Sequence, residues 1–104
     1  MNITGNEFLV DFGMAKAILK FKSETQLTFT ILEKTGIRSN IEETVEIKMT
    51  EIRPNLYIVT WKERSGTTVT QVQDYENGVI YSNWTSPTGE FKNIEGTIKQ
   101  LTNQ

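Results

Sequence analysis

The strongest constraint on this chain is a pair of turn signals, each set between segments in which apolar and polar residues alternate. Asn77-Gly78 is typical of a two-residue type I′ turn, and Arg64-Ser65-Gly66 suits a three-residue loop with its glycine in the left-handed region. Each turn predicts a β-hairpin and sets the register of its strands. The turn at Asn77-Gly78 pairs Glu76 with Val79, Tyr75 with Ile80, Gln73 with Ser82 and Gln71 with Trp84. The loop at Arg64-Ser65-Gly66 pairs Glu63 with Thr67, Trp61 with Val69, Val59 with Gln71 and Tyr57 with Gln73.

Alternating segments of this kind fill the rest of the chain, and no stretch of helical length carries apolar residues at helical spacing. We predict about eight short antiparallel strands. They cover Glu7–Phe12, Ala15–Lys22, Gln26–Leu32, Thr44–Met49, Leu56–Glu63, Thr67–Tyr75, Val79–Thr85 and Phe91–Leu101, with a polar connection at Gly36–Asn40. Strands of this number and length pair as a sandwich or close into a small barrel. The sequence therefore predicts a single all-β domain over residues 1–104.

Composition and charge exclude several kinds of site. The chain has no cysteine and no histidine, which rules out disulfides, thiol nucleophiles, histidine-based triads and the usual zinc ligand sets. We expect no metal and no cofactor. A net charge of −2 argues against nucleic acid or an anionic membrane as a partner. No apolar run approaches the roughly 18 residues of a membrane span, and the first residues lack the features of a signal peptide, so we expect a cytoplasmic protein.

The two hairpin registers sort the side chains into two faces, because cross-strand partners share a face of the sheet. One face is aromatic with a few polar groups, and it collects Tyr57, Val59, Trp61, Glu63, Val69, Gln71, Gln73, Tyr75, Ile80, Ser82 and Trp84. The other face is mostly polar and collects Thr60, Lys62, Thr68, Thr70, Val72, Asp74, Tyr81 and Asn83. We expect the first face to point inward.

An interior that mixes aromatic walls with a carboxylate and two amides suggests a ligand cavity, since buried polar groups are costly without partners. The walls would be Tyr57, Trp61, Tyr75 and Trp84, and the groups that orient a ligand would be Glu63, Gln71 and Gln73. In the opposing interpretation the two glutamines lie at a solvent-wetted barrel mouth and Glu63 only ends a hairpin. A barrel of about eight strands is just wide enough for one small molecule.

Several segments of the chain resemble the MoaF-like family, named after molybdenum cofactor biosynthesis protein F. The shared motif is a Trp-x-Glu hairpin, Trp61 to Glu63, followed by Gly-Thr-x-Val at Gly66 to Val69. The resemblance runs through Val45–Lys48, Leu56–Thr70, Asp74–Gly78, Gly89–Phe91 and Glu95–Thr97, and so covers nearly the whole chain. It implies a lipocalin-like, calycin-type antiparallel barrel, in a family whose members mostly have no assigned reaction.

The same hairpin is more distantly similar to that of the phenolic acid decarboxylases, which use a related barrel and commonly form dimers. In that family the motif glutamate, here Glu63, is the general acid that protonates the alkene of a hydroxycinnamic acid before carbon dioxide leaves. Desolvation beside Trp61 would raise the pKa of this carboxyl, as such an acid requires. Arg38 lies near the position of that family's arginine. This resemblance implies a lyase or isomerase with Glu63 as catalytic acid or base.

Three functions therefore remain open at this point. The first is a barrel that binds a small aromatic or amphipathic molecule, and the second is the enzyme with catalytic Glu63. The third is a dimerising interaction module with a filled core. Ile18, Ile58 and Val72 on the expected outer faces could cover the seam of a homodimer, or they could be scattered surface hydrophobes.

Overall fold

The structure is a computed structural model that describes residues 2–101. None of these residues lies in a helix. The strands are β1 (Glu7–Asp11), β2 (Lys16–Phe21), β3 (Gln26–Lys34), β4 (Ile37–Arg53), β5 (Leu56–Lys62), β6 (Thr68–Asp74), β7 (Val79–Thr85) and β8 (Phe91–Gln100). Each strand pairs antiparallel with its neighbours in the chain, and β8 returns to pair with β1. The predicted all-β fold is confirmed, and the sheet closes into a barrel.

The described residues contain no helix that is long and apolar enough to cross a membrane. The inside of the barrel is filled by side chains that alternate along the strands. The buried apolar residues are Ile3, Phe8, Val10, Leu19, Phe21, Leu27, Phe29, Val45, Ile47, Tyr57, Val59, Trp61, Val69, Ile80 and Ile98. Burying a large apolar side chain stabilises a fold by about 1.5–3 kcal/mol, so this set holds the barrel together.

The hairpin of β5 and β6 has the predicted register. Trp61 lies opposite Val69 and Tyr57 lies opposite Gln73. The loop closes with a hydrogen bond of 2.7 Å from the Glu63 amide to the Thr67 carbonyl, and Gly66 has a φ of 96°. The left-handed conformation expected of this glycine is therefore confirmed.

The predicted register of β6 and β7 is wrong by two residues. Asp74 lies opposite Val79, and residues 75–78 form a four-residue loop instead of a two-residue type I′ turn. The Asp74 carboxylate accepts hydrogen bonds from the backbone amides of Glu76 and Asn77 and from the Asn77 side chain, at 2.9–3.1 Å. These bonds stabilise the longer turn. Because the shift is two residues, every side chain stays on its predicted face.

The fourth strand is much longer than the predicted Thr44–Met49. It begins at Ile37, directly after a tight turn in which Thr35 and Gly36 both have positive φ, 51° and 79°. The stretch expected to be a connection is therefore strand. Its first half showed no hydrophobic alternation because nearly all of its side chains are exposed or half-buried.

The barrel has two ends, which differ in how they are covered. The upper end carries the loops of residues 12–15, 35–36, 63–67 and 86–90, and the lower end carries those of residues 22–25, 54–55 and 75–78. The segment 2–6 lies at the lower end, where Ile3 is only 3% exposed and the Gly5 amide donates to the Phe21 carbonyl at 2.8 Å. This segment covers the lower end of the barrel.

Gly96 allows the last strand to approach the first. A Cβ atom at this position would lie 2.1 Å from the backbone oxygen of Asp11. We expect Gly96→Ala to lower the free energy of unfolding by about 3 kcal/mol or more, because backbone atoms must move to relieve the overlap. The matched control is Gly89→Ala, where nothing lies within 4 Å and only the positive φ of 93° is unfavourable, a cost of about 1–2 kcal/mol. Equal losses of unfolding free energy for the two variants, measured by urea unfolding, would contradict the close approach of β8 to β1.

Candidate functional site

The aromatic and polar face of β5, β6 and β7 lies inside the barrel, as its register predicts. Gln73 is fully buried and Gln71 is 5% exposed, so the interpretation that places both glutamines at a wetted mouth is wrong. Trp61 and Tyr57 are buried as well. The remaining predicted site residues, Glu63, Tyr75 and Trp84, are half-buried.

The buried amides are hydrogen-bonded to one another in a continuous polar chain across β6 and β7. The Tyr75 hydroxyl donates to Gln73 Oε1, Gln73 Nε2 donates to Gln71 Oε1 at 2.8 Å, and Gln71 Nε2 donates to Ser82 Oγ at 3.4 Å. Among the described residues, no buried side-chain nitrogen or oxygen lacks a partner. The glutamines are therefore satisfied within the protein, and their predicted contact with a ligand stays a prediction.

Tyrosine side chains continue this packing at the lower end. The rings of Tyr57 and Tyr75 meet edge to face with centroids 5.9 Å apart, and Phe8 packs against Tyr75 at 4.9 Å. Burial raises the pKa of Tyr75, and the nearby Tyr57 adds to the shift. Burial also raises the pKa of Tyr57, helped by the Glu51 carboxylate, which accepts a hydrogen bond from its hydroxyl at 3.1 Å. Both tyrosines are therefore neutral hydrogen-bond donors.

The upper end brings a carboxyl group against an indole ring. Trp61 Nε1 donates to Glu63 Oε2 at 3.3 Å, and the ring of Trp61 stacks on Phe29 with centroids 6.2 Å apart. Burial raises the pKa of Glu63 from its ordinary value of 4.5, although the bond from Trp61 acts in the opposite direction. The predicted direction of this shift is confirmed. The catalytic role of Glu63 stays a prediction, and Arg38 lines a separate concavity with Lys16 and Glu33.

Glu43 is a second acidic residue at the upper end, and the sequence reasoning did not assign it to the site. Its carboxylate accepts a hydrogen bond from the Arg64 amide at 2.6 Å, next to Glu63. The charge of Glu43 raises the pKa of Glu63, whereas Lys34 lowers it. The signal was present in the sequence, because Glu43 continues the inward-facing alternation of Val45, Ile47 and Met49 by one more step.

Trp84 completes the aromatic wall on the far side of Val69. Val69 lies opposite Trp61 in β5 and opposite Trp84 in β7, so the three side chains form a row across the sheet. Lys92, the partner of Trp84 in β8, places its Nζ atom 5.0 Å from the centre of the indole ring. Trp84 therefore presents one face of its ring to a cation that the chain itself supplies.

Two concavities lie away from the polar chain. One of about 340 Å³ is at the lower end, lined by Asn2, Ile3, Thr4, Glu24, Met49, Glu51 and Tyr57. The other, of about 660 Å³, is lined by Lys16, Leu32, Glu33, Arg38, Ser39 and Asn40. Gln71 and Gln73 line neither of them. The predicted residues therefore do not share one pocket: Trp61, Glu63 and Trp84 lie towards the upper end, Tyr57 and Tyr75 lie towards the lower end, and Gln71 and Gln73 lie between.

Breaking the polar chain tests its contribution to the fold. We expect Gln73→Leu to lower the free energy of unfolding by about 2–3 kcal/mol, because Gln71 loses a donor and the Tyr75 hydroxyl loses its acceptor. Tyr75→Phe should then cost less in the Gln73→Leu background than in the wild type. Urea unfolding of the four proteins measures this coupling, and the exposed Gln26→Leu is the control. Strictly additive losses of unfolding free energy would show that the hydrogen bonds of the polar chain act independently of one another.

Comparison with known proteins agrees with this geometry. Residues 4–99 match the family described as MoaF-like. A crystal structure of a protein from Burkholderia vietnamiensis, provisionally described as a beta-lactamase, superposes with a TM-score of 0.88 at 17% sequence identity, covering 97% of each chain. At that identity the likeness concerns the fold alone. No curated protein matches the sequence.

The family match spans all eight strands except the last residue of β8. It includes the Trp-x-Glu hairpin of β5 and β6, the turn after β6 and the glycine at which β8 meets β1. The resemblance seen in the sequence is confirmed, and the chain belongs to the MoaF-like family.

Proposed function

We propose that this protein binds a small aromatic or amphipathic molecule at the upper end of its barrel. The observation that carries the proposal is the half-buried Glu63 carboxyl, which lies against Trp61 and has a raised pKa. A carboxyl group in such surroundings combines an apolar wall with a polar group that can either donate or accept a hydrogen bond. Pockets for small molecules commonly have this composition.

The difference between the two ends supports this placement. At the lower end Ile3 is buried and the tyrosines are packed against Phe8. At the upper end the inward-facing Glu63 and Trp84 remain partly exposed. Side chains that face the barrel axis yet reach solvent are available to a molecule that enters from that side.

The chemistry of the upper end indicates how the molecule would lie. Its apolar part would rest on the aromatic row of Trp61 and Trp84, and its polar end would meet Glu63. The polar chain of Gln73, Gln71 and Ser82 lies deeper and would form the floor of the site. A small amphipathic molecule has the matching arrangement, with an apolar part for the tryptophans and a polar end for Glu63.

Tryptophan fluorescence tests the proposal, because Trp61 and Trp84 are the two tryptophans of the chain. We expect para-hydroxycinnamic acid or a related amphipathic aromatic to quench the fluorescence of the wild type and of Trp84→Phe, in a saturable manner. Trp61→Phe should lose most of the response, and Glu63→Gln should change the affinity about tenfold through its altered hydrogen bonding.

Tyr81→Phe, on the exposed outer face, is the matched control and should bind as the wild type does. The absorbance of the acid is followed in the same cuvette, so that its loss would indicate turnover and an enzymatic role for Glu63. Fluorescence that stays unchanged across a panel of aromatic and amphipathic probes would refute the proposed site.

The stability of the fold should depend on pH through Glu63. Because burial raises the pKa of this carboxyl in the folded state, the folded protein binds the proton more tightly than the unfolded chain does. The group therefore stabilises the fold below pH 4.5, and this contribution is lost as the pH rises through the raised pKa. We expect Glu63→Gln to gain stability relative to the wild type as the pH rises from 4.5 towards neutrality.

Urea unfolding of both proteins across this pH range measures the effect. The two stabilities should converge well below pH 4.5, where the wild-type carboxyl is protonated in both the folded and the unfolded state. Glu90→Gln, at an exposed position, is the matched control for the replacement of one carboxylate. A wild-type advantage that grows with pH would contradict the direction of the shift.

A further inference from the structure

The fourth strand has a segment that is paired on one side only. Residues Ile37–Glu46 of β4 pair with β3, whereas pairing with β5 begins at Ile47, opposite Trp61. The sheet is closed, yet the first half of β4 extends past the end of β5. This half of the strand leaves a free edge beside the upper end of the barrel.

Part of this edge is covered by the loop between β5 and β6. The Glu43 carboxylate accepts a hydrogen bond from the Arg64 amide, which holds the loop against the strand at that point. The uncovered part is therefore residues 37–42. Its side chains are exposed except that of Ser39, which is half-buried.

The alternation of the backbone shows which groups face the open side. The Ile47 amide donates to the Thr25 carbonyl at 2.9 Å, towards β3. Pairing with β3 is regular from Glu46 to Ile41, and its register shifts before Arg38. In an antiparallel strand, successive residues direct their backbone groups to opposite neighbours, so Ile41 bonds to β3 as Ile47 does. Beyond the shift, Ile37 lies opposite Lys34 and closes the two-residue turn, so its backbone groups face β3 as well. The amides and carbonyls of Arg38, Asn40 and Glu42 therefore point to the open side.

Two charged side chains on this edge have no ionic partner. Among residues 2–101, Lys16 Nζ forms an ion pair with Glu33 Oε2 at 3.4 Å. Neither Arg38 nor Glu42 takes part in an ion pair within the same residues. Glu42 accepts a single hydrogen bond from the Thr30 hydroxyl at 3.3 Å. Four residues apart on one strand, Arg38 and Glu42 are roughly 13 Å apart and cannot reach each other.

Two large apolar side chains are also exposed on the same edge, on its other face. Ile37 is 71% exposed and Ile41 is 56% exposed. They lie on the face of the strand opposite to that of Arg38 and Glu42, because the side chains of a strand alternate. Within six residues, one face of the strand therefore carries charged groups without ionic partners, and the other face carries exposed isoleucines.

We propose that a second copy of this chain pairs with residues 38–42 as an antiparallel strand, with Asn40 on the two-fold axis. Arg38 then lies opposite the partner's Glu42, and the reverse pair forms by symmetry. On the other face Ile41 lies opposite the partner's Ser39 and diagonal to the partner's Ile41, so that four isoleucines form one apolar strip. The pairing satisfies the charges, the backbone groups and the isoleucines together.

Other arrangements fit the edge less well. A register shifted by two residues along each strand, with Glu42 on the axis, would place two glutamates opposite each other, which is unfavourable. The outer-face residues predicted to cover a dimer seam are less suitable, because Ile18, Ile58 and Val72 are half-buried and Ile18 lies on a strand that does not pair with the other two. An interface of one strand pair is small, so the dimer should dissociate on dilution.

The oligomeric state as a function of concentration tests the proposal. Light scattering and sedimentation should show the mass rising from 11.9 kDa towards twice that value as the protein is concentrated to about 1 mM. Asn40→Pro should abolish this rise while leaving the circular dichroism of the barrel unchanged, since the amide that it removes points to the open side. A monomer at every concentration, or a dimer unaffected by Asn40→Pro, would overturn the proposal.

Exchanging the two charges distinguishes this pairing from a general effect on solubility. Arg38→Glu and Glu42→Arg should each raise the dissociation constant about tenfold or more, because both symmetric pairs become repulsive. The double variant R38E/E42R should restore dimerisation, since the pairs re-form with their charges exchanged. Lys48→Glu, on the same strand but paired to β5, is the control and should leave the constant unchanged. A double variant as weak as the single variants would contradict the register.

Discussion

The closure of the sheet by β1 and β8 is the constraint on which the rest of the structure depends. The pairing joins Phe8 to Gln100 and Asp11 to Thr97, and it is possible because Gly96 has no side chain at the point where the strands meet. Once the sheet is closed, every inward side chain must pack within a fixed perimeter. Strands longer than their neighbours can extend only at the ends of the barrel. The filled interior and the free edge of β4 both follow from this closure.

Because the barrel is closed, the polar groups inside it must find hydrogen-bond partners within the protein. A buried amide is costly unless it is hydrogen-bonded, and here Gln71 and Gln73 bond to each other and to Tyr75 and Ser82. The side chains that make these hydrogen bonds fill the middle of the barrel. The proposed ligand site therefore lies where this chain ends, because Glu63 is on the same face of the sheet beyond it. Because Gln71 and Gln73 bond within the protein, the site proposed for a ligand is at one end of the barrel and not in its middle.

The sequence predicted the number of strands and the inward face, because both follow from alternation and from the turn after Glu63. It did not predict the true turn after β6, because the bonds of the Asp74 carboxylate compete with the Asn77-Gly78 signal and only the folded loop shows which arrangement prevails. The length of β4 was also missed, since a strand exposed on both faces carries no hydrophobic period. The mutual satisfaction of Gln71 and Gln73 depends on side-chain geometry that alternation alone does not specify.

The two proposals depend on different residues of one strand, and this makes them separable. Glu43 faces the barrel axis, where its charge raises the pKa of Glu63, whereas the neighbouring Glu42 faces outward at the free edge. Because side chains alternate, a change at Glu42 alters the edge without removing a group from the upper end of the barrel. The hydrogen bond from Arg64 to Glu43 marks the boundary between the two regions, since it holds the β5–β6 loop over the strand where the free edge stops. A ligand that engaged Glu43 and displaced this loop would lengthen the free edge, so binding and pairing would then be coupled through that one hydrogen bond.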